Sequence, residues 1–419
     1  MRLPLWLVVA LLIITLALGL TGGLAAGYLF ASPASCPESP EVCQQFSAFW
    51  EAWRLAREKF VDAKASDPQK MIDGAINGML DTLGDTGHTR YLGATEAAQW
   101  DESLSGSFEG IGAYIDVRDG QTIIVSPIVG SPAEQAGLKP GDAILAVDGE
   151  TTEGWTVDQL AAHVRGPAGS RVTLQVRHVG EETAIEVTIT RANVVVPSVS
   201  WRMLANNLAM VRLSSFDHNS GQQMREALQA AQDQGARAII LDLRNNPGGL
   251  LDEAVSIASQ FLPEGTTVLL EENRAGQREP TRTVAGGLAL DLPLVVLINH
   301  GSASSAEILS GALQDAKRAT LIGEATFGTG TVLSAYNISG GGRLLLGTQQ
   351  WLTPEGRLIR GEGISPDEPI SLAAQAAPLS PAEAAELTPA QLSGGADTQL
   401  ARAVELATQA VTHKVTTTP

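Results

Sequence analysis

Two short segments rich in glycine and serine could carry nucleophilic chemistry. The first, Arg244–Gly249, reads Arg-Asn-Asn-Pro-Gly-Gly and follows a predicted strand at Ala238–Leu243. The second, Asn299–Glu307, reads Asn-His-Gly-Ser-Ala-Ser-Ser-Ala-Glu and opens a predicted helix. Glycines at a strand-to-helix turn free backbone amides to face an anion, and the N-terminus of a helix favours developing negative charge. Together the segments predict a serine nucleophile with an oxyanion hole, although such serines could instead serve only as helix caps.

The elements around these segments place both of them at strand ends. From Val194 onward predicted strands and helices alternate, which is typical of βα units that pack helices on a largely parallel sheet. The predicted strands are Leu208–Leu213, Ala238–Leu243 and Leu294–Asn299, and the predicted helices are Gly221–Gln234, Leu250–Phe261 and Ala306–Ala316. The fold class is therefore α/β, with the two loops at adjacent strand ends.

A β-rich module precedes this one. Between about residues 107 and 191, short apolar runs alternate with Gly, Pro and Asp turns. The run Ser131–Gly149 resembles the central signature of a PDZ domain, and the Gly-Ile-Gly-Ala sequence upstream of it resembles the carboxylate-binding loop of such a domain. There the amides of Ile111, Gly112 and Ala113 would bind a peptide C-terminus, which would add as a strand to the open sheet edge. The alternative is a β domain that serves only as a spacer.

The charge balance excludes several classes of function. The chain has 28 Lys+Arg against 46 Asp+Glu, a net charge of −18. Such a chain lacks the clustered cations that nucleic-acid backbones require, so we expect no nucleic-acid partner. Its two cysteines, Cys36 and Cys43, are too few for a four-cysteine zinc site, and we expect no metal and no cofactor. In an oxidising compartment they could close a small loop, and two free thiols are the alternative.

The N-terminal segment predicts the compartment. No charged residue occurs from Leu3 to Ser35, and Leu3–Phe30 exceeds the ~20 apolar positions that a membrane helix needs. With Arg2 as its positive flank, this segment predicts a single-pass anchor in the cell membrane and an extracytoplasmic catalytic body. Cleavage after Ala26 or Ala31 is the alternative.

The chain divides into five predicted regions. They are a transmembrane anchor or signal segment at 1–31, an N-terminal helical region at 32–106, the PDZ domain at 107–192, the catalytic core at 193–370, and an Ala/Pro-rich linker with a C-terminal helix at 371–419. In the helical region, Glu41–Val61 and Met71–Leu83 have the spacing of amphipathic helices. Aromatic residues in the first of these predict core or dimer contacts, so a homodimer is among the partners that the pattern allows. The last helix, Asp397–Val411, begins at Asp397 as its N-cap.

The ordered motifs of the catalytic core are similar to those of the carboxyl-terminal processing (tail-specific) serine peptidases, which also carry a PDZ domain at this place. The matching motifs are Asp242-Leu-Arg-Asn-Asn-Pro-Gly-Gly249, Gly301-Ser-Ala-Ser-Ser-Ala-Glu307, Gly323-Glu-Ala-Thr-Phe-Gly328, Leu352-Thr-Pro-Glu-Gly-Arg357 and Gly363-Ile-Ser-Pro-Asp367. The resemblance implies a ClpP/crotonase-like protease core with an inserted-type, β-rich PDZ domain, and unfolded or tagged protein substrates with apolar C-termini. It also implies that Ser304 is the nucleophile. The oxyanion hole would combine the Ser305 amide with that of Gly248 or Gly249.

One motif departs from the family pattern. Where the family reads Thr-Phe-Gly-Lys-Gly-X-Val-Gln, residues 326–333 read Thr-Phe-Gly-Thr-Gly-Thr-Val-Leu. Thr329 therefore replaces the lysine that acts as general base, and Leu333 replaces the glutamine that orients it. Because threonine cannot take a proton from serine at neutral pH, the expected dyad is broken.

Three other residues carry a side chain that could act as the base. Lys317 follows Ser304 by thirteen residues across a predicted helix, about 20 Å away at ~1.5 Å per residue, which excludes it. His300, four residues before Ser304, is a candidate, and His218 is a second one. For each histidine a surface or capping role is the competing interpretation.

Three functions are compatible with these observations. The favoured one is a serine endopeptidase whose general base is not identified. The alternative is a pseudopeptidase, a membrane-tethered PDZ scaffold that captures protein C-termini without cutting them. The third, a crotonase-type acyl-CoA enzyme, is disfavoured because a PDZ domain is attached and the Gly-Ser-Ala-Ser turn is intact.

Overall fold

The computed structural model describes residues 38–85, 87–118, 120–373 and 375–417. The predicted membrane segment and Cys36 lie outside these ranges. Within them, no helix has both the length and the apolar character needed to cross a membrane. The chain forms two units, divided between Gly74 and Ala75.

The element bounds are as follows. The helices are α1 Pro40–Lys59, α2 Pro68–Asp81, α3 Ala94–Ser105, α4 Pro132–Gln135, α5 Val157–Val164, α6 Ser220–Asp233, α7 Leu251–Phe261, α8 Ser305–Asp315, α9 Pro381–Ala385, α10 Pro389–Gly394 and α11 Thr398–Thr417. The strands are β1 Arg90–Leu92, β2 Ser107–Gly110, β3 Ala113–Arg118, β4 Gln121–Pro127, β5 Ala143–Val147, β6 Glu150–Thr151, β7 Arg171–Arg177, β8 Ile185–Thr190, β9 Ala192–Val195, β10 Val199–Leu204, β11 Leu208–Leu213, β12 Ala238–Asp242, β13 Thr267–Glu272, β14 Arg278–Arg282, β15 Leu294–Ile298, β16 Thr320–Gly323, β17 Thr331–Asn337, β18 Arg343–Leu352 and β19 Glu368–Pro369. The predicted strands and helices of the catalytic core are confirmed to within one residue at each end.

Helix α1 carries its aromatic residues on the surface. None of its residues is buried, and Phe49 makes ring contacts with Phe46, Trp50 and Trp53. The prediction of core contacts for these aromatics is therefore wrong within the described chain. The homodimer stays a prediction.

The β-rich module is a closed unit that the chain enters and leaves at one point. Its sheet has the order β3-β4-β5-β7-β8, with β6 on β5 and with β3 at one edge. Strands β2 and β9, which flank the module in sequence, pair antiparallel from Ser107↔Val195 to Gly110↔Ala192. Buried aliphatic residues of the sheet and of α4 and α5 form a core of its own. The module is therefore inserted into the chain as a separate domain.

The catalytic core is built on a six-stranded sheet with the order β10-β11-β12-β15-β16-β19. Strand β10 is antiparallel to β11, and the other neighbours are parallel. Every residue of β12 and β15 is buried, because helices cover both faces of the sheet. On one face lie α6, α7 and α8, and on the other lie α9, α10 and α11.

The region 371–419 contains more helical structure than the predicted linker and terminal helix. It adds two short helices, α9 and α10, capped by the side chains of Ser380 and Thr388. Apolar residues of all three C-terminal helices pack on the sheet. Asp397 caps α11 as predicted, since its carboxylate accepts a hydrogen bond from the amide of Leu400 (3.0 Å).

A second sheet brings residues from far apart in the chain to the catalytic core. Its order is β1-β18-β13-β14, and β17 also pairs with β18. Strand β1, within the region predicted to be helical, pairs with β18 from Arg90↔Leu345 to Leu92↔Arg343. This pairing carries the loop between α2 and β1 to the start of β17.

Three loops meet at the carboxyl edge of the parallel sheet. They follow β12, β15 and β16, which are neighbours in the sheet. Because the carboxyl ends of parallel strands lie at one edge, the loops 243–250, 299–304 and 324–330 converge there. This edge is where open α/β sheets bind their ligands.

Candidate active site

Ser304 lies in a strained turn between β15 and α8. Its backbone has φ 52° and ψ −118°, which a residue with a Cβ adopts only when its surroundings enforce it. The amide of Ser304 donates to Oε2 of Glu307 (2.8 Å) and to Oγ1 of Thr329 (3.0 Å), and these bonds hold the turn. Ser304 is the N-cap residue of α8, but within the described residues its hydroxyl makes no hydrogen bond.

The other two serines of this loop bind it to the glycine turn. The hydroxyl of Ser302 donates to the carbonyl of Leu243 (2.8 Å), and that of Ser305 donates to the carbonyl of Gly249 (2.9 Å). The predicted juxtaposition of the two segments is therefore present, and of these serines only Ser304 keeps its hydroxyl for chemistry.

Gly248 lies directly against Ser304. Its φ is +94°, and a Cβ built on it would lie 2.7 Å from Cβ of Ser304 and 2.9 Å from the amide nitrogen of Ser305. No side chain larger than hydrogen fits there. The turn thus approaches the Ser304–Ser305 peptide as closely as backbone atoms allow.

Two backbone amides at this contact are free to bind an oxyanion. The amide of Gly248 donates to Oδ1 of Asn246 (2.8 Å), so it is occupied. Within the described residues, no acceptor contacts the amide of Gly249 or that of Ser305, the first residue of α8. This arrangement favours Gly249 over Gly248 as the glycine donor of the predicted oxyanion hole.

A buried carboxylate organises the loop that follows β16. Glu307 is fully buried and accepts from Oγ1 of Thr326 (2.6 Å), the amide of Gly328 (2.6 Å) and both the hydroxyl (2.7 Å) and the amide (3.1 Å) of Thr329. Since it also accepts from Ser304, it ties two catalytic loops together. Thr329 is therefore a structural link at the family lysine position, and its hydroxyl proton is directed at Glu307.

Leu333 offers no polar group at the family glutamine position. It lies in β17 and packs with an apolar cluster that includes Leu92 and Leu345. Val332 and Leu333 flank a register shift between β17 and β18, and both line the cavity described next. The site therefore lacks both the lysine and the glutamine of the family pattern.

A cavity of ≈ 550 Å³ opens around Ser304. Its walls are mainly apolar and include Trp100, Leu104, Leu251, Ile308, Phe327, Val332, Leu345 and Trp351. Thr329 and Thr331 line it as well, and so do two histidines, His88 and His300. A cavity of this size and character fits an extended apolar peptide segment.

The candidates proposed to replace the lysine lie in different places. His300 is exposed, with its ring 5.5 Å from that of Phe327, and no hydrogen bond in the described chain joins it to Ser304. His218 is exposed and is not among the residues that line the cavity. Lys317 follows the far end of α8, as expected, and cannot reach Ser304.

Sequence reasoning did not identify His88. It lies in the region 32–106, which the sequence predicted to be helical, and it precedes Ser304 by more than two hundred residues. The pairing of β1 with β18 brings it to the cavity, and no local pattern signals that pairing.

The loop before β3 has the geometry of a carboxylate-binding loop. Gly112 has φ +79°, and the carbonyl groups of Ile111 and Gly112 accept hydrogen bonds from the following segment. In the described chain no acceptor contacts the amides of these two residues. Strand β3 is the sheet edge, and α5 packs beside it, so a peptide can add between them.

Replacing Gly112 with alanine is expected to weaken binding of an apolar C-terminal peptide at least tenfold. A Cβ there would lie 2.4 Å from Cβ of Ser131, so the loop must move and its amides would no longer point at the peptide carboxylate. The matched control is Gly180→Ala, which has a similar φ of +81° but open space around the added atom. Calorimetric titration with the peptide measures the affinity of both variants. Equal affinities would refute the assignment of this loop as the carboxylate-binding loop.

Both the catalytic core and the β-rich module are similar to known proteins. The model of peptidase family S41 matches residues 207–370, and that of the PDZ domain matches residues 123–178. The carboxy-terminal processing protease CtpA of Bacillus subtilis is 38% identical over 301 residues, which are 72% of this chain and 64% of that protein. This chain thus spans less than two thirds of the length of the Bacillus protein. A carboxyl-terminal-processing protease of Synechocystis sp. is 38% identical over 375 residues, 88% of this chain and 84% of that protein. A Bacteroides fragilis structure provisionally classed as an S41 protease has a TM-score of 0.50 at 19% identity, over 81% and 92% of the two chains, which shows the fold alone.

Proposed function

Because the chain belongs to peptidase family S41, with the carboxyl-terminal processing proteases, we propose that it is a serine endopeptidase. It would bind protein C-termini on its PDZ domain and cleave these proteins with Ser304 as the nucleophile. The family and the PDZ domain inferred from the sequence motifs are thereby confirmed. The observation that carries the proposal is the contact between the strained Ser304 and the Gly248–Gly249 turn, beside two amides that no acceptor in the described residues contacts.

The proposed reaction is acyl transfer through a covalent intermediate. Ser304 attacks a peptide carbonyl in the apolar cavity, and the developing oxyanion receives hydrogen bonds from the amides of Gly249 and Ser305. Each such donor contributes about 10²–10³ in kcat in serine peptidases. Water then releases the acyl group from Ser304.

The proposed substrates are unfolded or tagged proteins with an apolar C-terminus. Two features support this: the edge strand β3 with its carboxylate loop, and the mainly apolar walls of the cavity. A folded substrate could not lay an extended segment in either place. A homodimer remains part of the proposal and rests only on the exposed aromatic residues of α1.

The proposed location is the outer side of the cell membrane. The uncharged stretch Leu3–Phe30, with Arg2 before it, supports a single-pass anchor. Cys43 is disulfide-bonded, which fits an oxidising compartment.

The test uses the full-length chain in detergent micelles and an unfolded protein that ends in three apolar residues. We expect mass spectrometry to show internal cleavage of this protein. Its version ending in three aspartates should stay at least tenfold more intact, because the anionic tail does not dock. The Ser304→Ala variant should yield no product above background.

Two outcomes contradict the proposal. If wild type and Ser304→Ala both bind the apolar tail but neither cuts, the chain is a capture scaffold, the alternative function. If both cut equally, Ser304 is not the nucleophile.

A further inference from the structure

The cavity around Ser304 contains a titratable group that the mechanism above does not use. His88 lies in the loop between α2 and β1, and its side chain is 14% exposed. The pairing of β1 with β18 places this loop next to β17, so His88 faces the start of that strand. His88 and Ser304 line the same cavity.

A chain of hydrogen bonds orients the ring of His88. Its Nδ1 lies 2.6 Å from Oγ1 of Thr331, which in turn lies 3.1 and 3.3 Å from the two carboxylate oxygens of Asp85. An ionised carboxylate only accepts hydrogen bonds, so the hydroxyl proton of Thr331 points to Asp85. The oxygen of Thr331 therefore accepts from Nδ1–H of His88, and the lone pair of the ring is on Nε2.

Asp85 is itself fixed. It is buried, and Oγ1 of Thr89 donates to it at 2.6 Å. Thr89 also accepts from the amide of Gly347 in β18, and Nε of Arg360 lies 3.8 Å from the carboxylate. The carboxylate of Asp85 is thus linked to strand β18 of the second sheet through Thr89.

The hydrogen-bond partner of His88 lies near the Ser304 turn. Thr331, the partner of Nδ1, is two residues from Thr329, whose Oγ1 lies 3.0 Å from the amide of Ser304. Both threonines line the cavity. In the described residues no group is hydrogen-bonded to Nε2 of His88. Its lone pair is therefore available to a proton donor in the cavity.

The surroundings of His88 keep it neutral. Burial lowers its pKa from the usual 6.5, and Arg90 lowers it further, while the charges of Asp85 and Glu307 act in the opposite direction without cancelling the effect. A neutral imidazole at pH 7 can accept a proton at once.

We propose that His88 is the general base that activates Ser304, with Thr331 and Asp85 as its positioning residues, in place of the lysine and glutamine that this chain lacks. The inference rests on the proposed function and names the missing part of that site. With His88 as the base, the site needs neither a lysine at 329 nor a glutamine at 333.

The proposed reaction moves one proton between Ser304, His88 and the leaving amine. Nε2 of His88 takes the hydroxyl proton of Ser304 while Oγ forms a bond to the carbonyl carbon, and the carbonyl electron pair moves to the oxygen held by the two amides. When the pair returns, the C–N bond breaks, and His88 gives its proton to the departing amine. Water repeats the sequence and restores both residues.

The test variant is His88→Asn in the full-length chain. The asparagine amide nitrogen can occupy the place of Nδ1 and still donate to Thr331, so the anchoring contact is kept while the base is removed. The readout is the rate at which a fluorophosphonate probe labels Ser304, measured from pH 4.5 to 8.5. We expect wild-type labelling to rise with pH, with a midpoint below 6.5 as His88 loses its proton, and then to level off. The variant should label at least 100-fold more slowly and lose this rise.

Further variants separate a base from a structural histidine. Thr331→Val keeps the shape but breaks the link to Asp85, and should slow labelling about tenfold with a shifted midpoint. His218→Asn, outside the cavity, should label at the wild-type rate. If His88→Asn melts early, the wild-type pH profile and the Thr331→Val midpoint still decide the matter.

The possible results are distinguishable. Labelling that depends on His88, without cleavage of a tailed protein, would support the base and reject the proposed function. Cleavage that needs Ser304 but is unaffected in His88→Asn would overturn the base and leave the function standing. The inference is also overturned if wild type does not label above Ser304→Ala, or if His300→Asn alone abolishes labelling.

Discussion

A Gly248→Ala variant is expected to lose about 10³- to 10⁴-fold in kcat while its affinity for a C-terminal peptide stays unchanged. With φ at +94°, the added Cβ would lie 2.7 Å from Cβ of Ser304 and 2.8 Å from the carbonyl oxygen of Ala303. Neither contact involves a flexible side-chain end, so the turn and Ser304 must move apart. Loss of one oxyanion donor costs about 10²–10³, and displacement of the reacting groups by about 1 Å adds to it.

The control for this variant separates the clash from backbone strain. Gly276, in the hairpin between β13 and β14, has φ +76° and no atom within 4 Å of an added Cβ. Gly276→Ala should therefore keep kcat within about twofold of wild type, since only left-handed strain is added. Steady-state cleavage of the tailed substrate measures both variants. A Gly248→Ala enzyme with more than a tenth of the wild-type kcat would mean that this turn does not form the oxyanion hole.

The sequence was sufficient to predict the half of the site that rests on local rules. A strand that ends in Pro-Gly-Gly and a neighbouring strand that ends in a serine-rich helix start must meet if the strands are parallel and adjacent. In the structure β12 and β15 are such neighbours, and Gly248 touches Ser304. Helical and strand periods placed these elements correctly because buried strands and amphipathic helices have strong patterns.

The other half depends on contacts between distant parts of the chain. His88 reaches the cavity only through the pairing of the three-residue strand β1 with β18. A strand this short carries no periodicity, and its flanking glycines predict a turn. The hydrogen bond between Thr329 and Glu307 could not be predicted either, because the sequence identified Thr329 only as the replacement of a lysine.

The C-terminal region shows the same limit. Its Ala- and Pro-rich composition suggested a linker, yet α9, α10 and α11 cover one face of the catalytic sheet. Composition reports what a segment can do in isolation, whereas burial on a sheet depends on the apolar face that the rest of the fold leaves open. Alanines such as Ala403 and Ala407 are fully buried there because only small residues allow close helix-to-sheet packing.

One buried cation joins this C-terminal cover to the catalytic turn. Arg244, the first residue after Leu243, is fully buried and binds both carboxylate oxygens of Asp242 (2.9 and 3.0 Å) and Oδ1 of Asp397 (2.8 Å). Burial alone would lower the pKa of Arg244, but the charges and hydrogen bonds of the two aspartates outweigh it and raise the pKa above the usual value. The guanidinium therefore stays charged at every pH at which the protein is folded.

Replacing Arg244 with methionine is expected to lower the free energy of unfolding of the catalytic core by about 3–5 kcal/mol, because two buried carboxylates lose their counter-charge. Hydrogen exchange of the β12 and α11 amides measures this loss directly. Arg402→Met is the matched control: it lies on α11 and pairs with Glu368 and Glu405, but its side chain is 31% exposed. Water replaces those contacts, so little change is expected. Equal exchange in the two variants would show that the C-terminal helix is held by its apolar face alone and that the buried ion pair adds nothing to it.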